Sequence, residues 1–209
     1  MNSKHGFTAT TPRLCGHVAP FAFTSGASNR VSDRLYAAAT VCASCREKIR
    51  LIAHDAPKAF FKIELQPMKA KSLSQASFAN SVRIKHLRLK GPIMAQLAQS
   101  DDDYAPAALA AYKLLFGITD ARFWIDNKDA NFDASWVTSE IEALIRPLPT
   151  TAVHPASYSA FHYWALVDLA PIKLARDSLP ETKVIDDVPP AVFSAQPDTL
   201  PHEHSAQYP

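Results

Sequence analysis

Glycine is scarce in this chain, five residues in 209, while proline is abundant at 16. Loops that cradle phosphates need glycine where the backbone must approach the ligand closely, so this scarcity argues against a glycine-rich nucleotide-binding enzyme. No apolar run approaches the roughly 20 residues that cross a bilayer, so no membrane partner is expected. The opening stretch, MNSKHGFTATTPR, lacks the apolar centre of a secretory signal, which makes the cytoplasm the expected compartment. Cysteine is rare too. An odd count of three without a secretory signal describes no disulfide framework. No serine or cysteine stands in a nucleophile motif, and the H-E-x-x-H and H-x-E patterns of catalytic zinc are missing. These absences favour a binding protein over an enzyme. What is present is ordinary globular material, 47% hydrophobic and 20% charged, enough for one sizeable core or two small ones.

The net charge of +2 conceals a division. Residues 1–90 carry 15 Lys and Arg against four acids, a net of +11, and residues 91–209 carry seven against 16, a net of −9. A basic half of this kind suits a polyanion, whereas the acidic half would be repelled by one and suits protein or solvent. If folding interleaves the two halves, the segregation loses its meaning.

The cysteines are Cys15, Cys42 and Cys45, and the last two form a C-x-x-C pair in VCASC. Two thiolates at this spacing can reach one ion from a tight turn, with metal–sulfur distances of about 2.3 Å. Cys15 supplies a third ligand from RLCGH. His17, two residues on, is the first choice for a fourth, with His54 and His5 as alternatives. The expectation is a structural Zn²⁺ in a small ribbon-like module over residues 15–57. A redox pair would need a βαβ surround that the sequence does not supply, and three small buried thiols without metal remain the plain alternative.

Local patterning then orders the chain. PFAFTSG reads as a short strand or knuckle, and REKIRLIAH as a short helix with Arg46, Arg50 and His54 on one face. KAFFKIEL alternates at Phe61, Ile63 and Leu65 and predicts a half-buried strand. Residues 66–81 read as a polar loop or a loose hairpin connection. SVRIKHLRLK alternates with a one-residue slip at His86–Leu87, so it reads as a bulged strand or a helix. Beyond Gly91–Pro92 the pattern turns helical: IMAQLAQS; YAPAALAAYKLLFG with Gly117 as its stop; DASWVTSEIEALIR from Asp133; and PASYSAFHYWALVDLA from Pro155 to Pro171. The sum is an α+β chain: a zinc-ribbon-like module and small antiparallel sheet, then a helical C-terminal half. The expected regions are 1–90, 91–178 and a proline-rich tail over 179–209.

Two clusters invite catalytic readings. Asp126 and Asp129, near Asp120, Lys128 and Asp133, could hold a divalent metal for phosphodiester chemistry, but aspartates at such spacing also cap helices. His154, Tyr158 and His162 would share one face of a helix, where aromatic packing is the commoner role.

The run CGHVAPFAFTSG…RLYAAATVCASC, followed by a basic mixed region and a helical half, resembles the large subunit of type IV CRISPR–Cas (Csf) effector complexes. That family carries two C-x-x-C pairs. Here Val18 stands where the second cysteine of the first pair would be, and His17 is the substitute. The resemblance implies a non-catalytic subunit partnered by guide RNA, target DNA and other effector-complex subunits. It would contact the 5′ handle of the guide and the flanking motif of target duplex, while base pairing reads the sequence. The candidate contacts are Arg46 and Arg50 on the helix, Lys69, Lys71, Ser72 and Asn80 on the polar loop, and Arg83, Lys85, Arg88 and Lys90 beyond it. The competing readings are a stand-alone zinc-containing DNA-binding regulator of a mobile element, a metal-dependent nuclease at Asp126 and Asp129, and an adaptor for an acidic protein.

Overall fold

A computed structural model describes residues 7–24, 27–53, 60–146 and 157–180. The fold is α+β as expected: a two-stranded antiparallel sheet near the N-terminus, then a mostly helical body. Strands β1 (Phe7–Pro12) and β2 (Val18–Phe23) pair from Phe7 opposite Phe23 to Pro12 opposite Val18. One face carries Phe7, Ala9, Phe21 and Phe23 toward helix α1 (Ala27–Ala38), where Arg30 lies over Phe7 and Phe21 meets Tyr36. The other face, which includes Thr8, Thr10, Pro20 and Ala22, is exposed. The turn between the strands closes through Gly16 at φ +76°, a conformation that glycine adopts without strain. β2 falls where PFAFTSG predicted a strand, and helix α2 (Ala43–Ile52) where REKIRLIAH predicted a helix.

Residues 60–68 correct one expectation. Phe61, Ile63 and Leu65 are half-buried while Lys62 and Glu64 are exposed, so the alternation is real, yet among the described residues the segment has no strand partner. The reason is α3 (Leu73–Leu97). It takes up SVRIKHLRLK, most of the loop predicted at 66–81, and IMAQL in one 25-residue helix capped by Ser72, whose side chain accepts from the Gln75 N–H. Residues 82–90 are therefore helical, and no second strand exists there to pair with KAFFKIEL. Pro92 sits inside α3 without ending it, and α3 runs unbroken past residue 90.

Helix α4 (Ala105–Gly117) stands at the centre and packs against α2, α3, α6, α7 and α8. Its five alanines let those neighbours approach closely, and a helix apolar on all sides belongs inside. Around it lie α5 (Ala121–Asp126), α6 (Ala134–Ile145), α7 (Ala160–Val167) and α8 (Ala170–Asp177). The long helix predicted over PASYSAFHYWALVDLA is instead α7 and the start of α8. Ser159 caps α7, and Pro171 opens α8 rather than closing its predecessor. Tyr158 precedes that cap, so it shares no helix face with His162. All three tryptophan indoles donate to backbone carbonyls: Trp124 to Ile118, Trp136 to Tyr158 and Trp164 to Leu114. The predicted tail beyond Pro180, together with His5, His54 and His154, lies outside the described residues.

Among the described residues, no helix is long and apolar enough to cross a membrane.

Candidate metal centre and nucleic-acid surface

Two structural elements bring four ligands together. The β1–β2 turn presents Cys15 and His17. It is drawn tight by the Arg13 N–H donating to the His17 carbonyl and the Gly16 N–H donating to the Arg13 carbonyl, both at 2.9 Å. Helix α2 presents Cys42 at its N-cap and Cys45 three residues on, inside the first turn. Those positions face the same way and lie where the positive end of the helix dipole favours thiolate. The ligand atoms of Cys15, His17, Cys42 and Cys45 all lie within 4.8 Å of one another, and none of the cysteines is in a disulfide.

The spacing fits a small tetrahedral cation. Metal–sulfur bonds of about 2.3 Å and a metal–nitrogen bond of about 2.0 Å would place sulfur and nitrogen about 3.5 Å apart. His17 Nδ1 is 3.7 Å from Cys42 Sγ and 3.3 Å from Cys45 Sγ. His17, the first-choice fourth ligand, thus joins the three cysteines.

Burial opposes ionisation of both helix thiols. At Cys42, hydrogen bonds from the Cys45 backbone and thiol, from Cys15 and from His17 outweigh it and bring the thiol down to about 7. At Cys45, burial holds the thiol up at about 11, opposed by a hydrogen bond from Tyr104 and reinforced by Cys42 and Cys15. The pocket therefore holds one thiolate readily, and further thiolates call for a cation among them.

Three supporting residues were not legible as part of this site. Arg13 Nη2 donates to Thr40 Oγ1 at 2.8 Å and to the Val41 carbonyl at 3.0 Å, and Arg13 Nε donates to the Thr40 carbonyl at 3.3 Å. The guanidinium also lies over the Phe21 ring at 5.1 Å. It thereby ties the first ligand turn to the chain just before Cys42. Glu142 of α6 is buried and accepts from the Val41 N–H at 2.8 Å, with Arg46 4.0 Å away, which anchors the module on the helical body. Burial raises the Glu142 carboxyl against the pull of that hydrogen bond and of Arg46, Arg146 and Arg13. Tyr104, buried at the N-cap of α4, reaches Cys45. In the sequence Arg13 was one more cation in a basic half. Glu142 and Tyr104 lie 100 and 62 positions after Cys42 with no local signal.

The cations chosen as nucleic-acid contacts divide into two sets. Arg83 is a correction. It is buried on the inner face of α3, 2% exposed, and its Nη2 donates to the Gln66 carbonyl at 2.8 Å and to Asn80 Oδ1 at 2.9 Å. Asn80 is thus committed to Arg83. Lys90 is half-buried, and burial lowers its ammonium. Of the two readings of residues 82–90, a bulged strand or a helix, the structure has the helix. The helix turns Arg83 and Lys90 inward and leaves Lys85 and Arg88 exposed, three residues apart. Arg46 and Arg50 are exposed one turn apart on α2, Arg46 beside Glu142 and Arg50 paired with Glu47 at 2.7 Å. Ser72 caps α3, and Lys69 and Lys71 are exposed just before it.

The aspartates take the capping role. Asp120 accepts from the Arg122 N–H at the start of α5, and Asp133 from the Ser135 and Trp136 N–H groups at the start of α6. Asp126 lies 3.6 Å from Arg122. Among the described residues, the Cys15–His17–Cys42–Cys45 group is the one place where three or more metal-ligating side chains converge.

No family model matches the chain, and no curated protein or solved structure matches it.

Proposed function

We propose that this protein is a zinc-stabilised, non-catalytic nucleic-acid-binding subunit of an RNA-guided effector complex. The metal is Zn²⁺, because three thiolates and an imidazole at tetrahedral spacing are the ligands of structural zinc. All four are protein side chains, so no ligand position is left for substrate. Its role is to fold the N-terminal module rather than to activate water.

The observation that carries the nucleic-acid reading is a stretch of one sign. Residues 65–100 contain no Asp or Glu, and within them Lys69, Lys71, Lys85 and Arg88 are exposed. Arg46 and Arg50 add two exposed cations from the metal module. Cations on a surface of this kind neutralise phosphates and carry no base information themselves, which suits a subunit that leaves sequence reading to a guide. Assembly with other subunits is supported by Leu166, Val167, Leu169 and Leu174, large apolar side chains exposed at the end of α7 and along α8.

The test is binding and co-purification. The wild-type chain should co-purify with a small RNA of defined sequence. Charge reversal at Lys85 and Arg88 should weaken binding about equally for all sequences and flatten its salt dependence. A wild-type protein that binds no RNA or DNA at low salt would end this reading.

A further inference from the structure

A cleft of about 570 Å³ opens where the chain enters α3. It is lined by Lys69, Ala70 and Lys71, by Gln75 in the first turn of α3, and by Arg122 and Ile125 of α5. That volume is ordinary for a site that takes a small organic ligand. Its lysine wall is fixed in place. The Lys69 N–H donates to the Thr119 carbonyl at 2.8 Å, and the Lys69 carbonyl accepts from the Ala121 N–H at 3.0 Å, so residue 69 is bridged to the entry of α5. Lys69 and Lys71 flank Ala70 in the segment that leads into α3, and all three line the cleft.

The charges at the rim do not cancel. Asp120 and Asp126 also line the cleft, but Asp120 is engaged at the Arg122 N–H and Asp126 with the Arg122 guanidinium. Neither lysine ammonium has an ion-pair partner among the described residues. Between these polar walls, Ala70 and Ile125 offer hydrocarbon surface with no donor or acceptor in their side chains. Unpaired cations beside a small apolar floor match a ligand with a phosphate at one end and a flat, weakly polar body at the other.

We propose that this cleft holds one nucleotide of the bound nucleic-acid chain, its phosphate between Lys69 and Lys71 and its base over Ile125. The proposal rests on the nucleic-acid reading above and gives it a place. Backbone phosphates are gripped along α3, while a single unstacked nucleotide is taken into the cleft, the manner in which single strands are commonly held. Lys85 and Arg88 lie roughly 20 Å farther along α3, from the helical rise per residue, and act as a separate contact.

The experiment uses the full chain with two probes, a fluorescently labelled oligoadenylate and free adenosine monophosphate. Three variants are compared with wild type: Lys69→Ala with Lys71→Ala; Ala70→Glu, which places a carboxylate in the cleft at an exposed position; and Lys85→Ala with Arg88→Ala. The first two should weaken oligoadenylate binding about tenfold and abolish competition by the mononucleotide. The third should weaken oligoadenylate binding while leaving the affinity for the mononucleotide unchanged. If the two cleft variants bind both probes like wild type while the α3 variant loses oligoadenylate affinity, the cleft proposal falls and the nucleic-acid reading stands. If wild type binds no oligoadenylate even at low salt, that reading fails and takes the cleft with it.

Discussion

The module that carries the Cys/His cluster, residues 7–53, and the helical body, residues 60–180, are held together by different physics. The body buries Tyr112, Phe116, Trp124, Phe132, Leu115, Ile141 and Leu144 almost completely, with aromatic rings packed edge to face. Among the described residues, the module buries Val41 and Ile49 to that degree, and it leaves Phe7, Val31, Leu35 and Tyr36 exposed. A segment this short buries too little apolar surface to offset its conformational entropy. Polar contacts take up part of the difference: Arg13 on the 40–41 turn and Glu142 reaching across from the body, beside four side chains placed to hold a cation. The fold's stability is thus divided, with an apolar core on one side and buried hydrogen bonds, together with the proposed metal, on the other.

The largest effect should come from removing the metal ligands. Cys42→Ser together with Cys45→Ser should unfold the module, since structural zinc sites supply on the order of 10 kcal/mol of folding free energy. All three tryptophans lie in the body, so their fluorescence should stay native while the hairpin and α2 lose protection from hydrogen exchange. A smaller break lies at the joint. Glu142→Ala strands the Val41 N–H and takes the carboxylate away from Arg146, at a cost of about 3 kcal/mol in a denaturant titration.

Glu140 sharpens the comparison from the other side, because it is a charge stored inside the body. Its carboxylate accepts from the Phe161 N–H at 2.8 Å at the start of α7, and burial pushes it up to about 7. A carboxyl raised in the folded state stabilises fully below its ordinary value near 4.5, and that contribution is lost as pH rises to about 7. Glu140→Gln should therefore leave stability unchanged at pH 4 and raise it by up to about 3 kcal/mol at pH 8. A flat difference across that range would contradict the burial of the charge. The smallest effect is expected at the ligand turn. Gly16→Ala meets no neighbouring atom, so its cost is the backbone conformation alone, about 1–2 kcal/mol, read as a lowered melting temperature of the module.

The sequence made some of this legible and hid the rest for identifiable reasons. The ligand set could be read because Cys15–His17 and Cys42–Cys45 are each local, and a turn and a helix start are short-range structures. Helix α4 could be read from its Ala- and Leu-rich run closed by Gly117, and α6 from Asp133 at its start and apolar positions at helical spacing. Helix α3 was ambiguous because its inner face carries Arg83 and His86 while Leu89 lies outside. Polar residues inside and an apolar one outside erase the helical stripe and leave an alternation that mimics a strand. Helix α1 went unread although Val31, Leu35 and Ala38 recur at helical spacing in its sequence. Val31 and Leu35 are exposed, so that stripe faces away from the core. The anchoring role of Glu142 depends on a contact 101 residues distant from Val41, which no local pattern encodes.

The division between the two regions can be tested most directly by hydrogen exchange on the full-length protein, with and without a strong zinc chelator. With a module held by its metal, chelation should strip protection from the amides of α2 and the β1–β2 hairpin while α4 and α6 keep theirs. Equal protection of α2 in protein shown to be free of metal would contradict it.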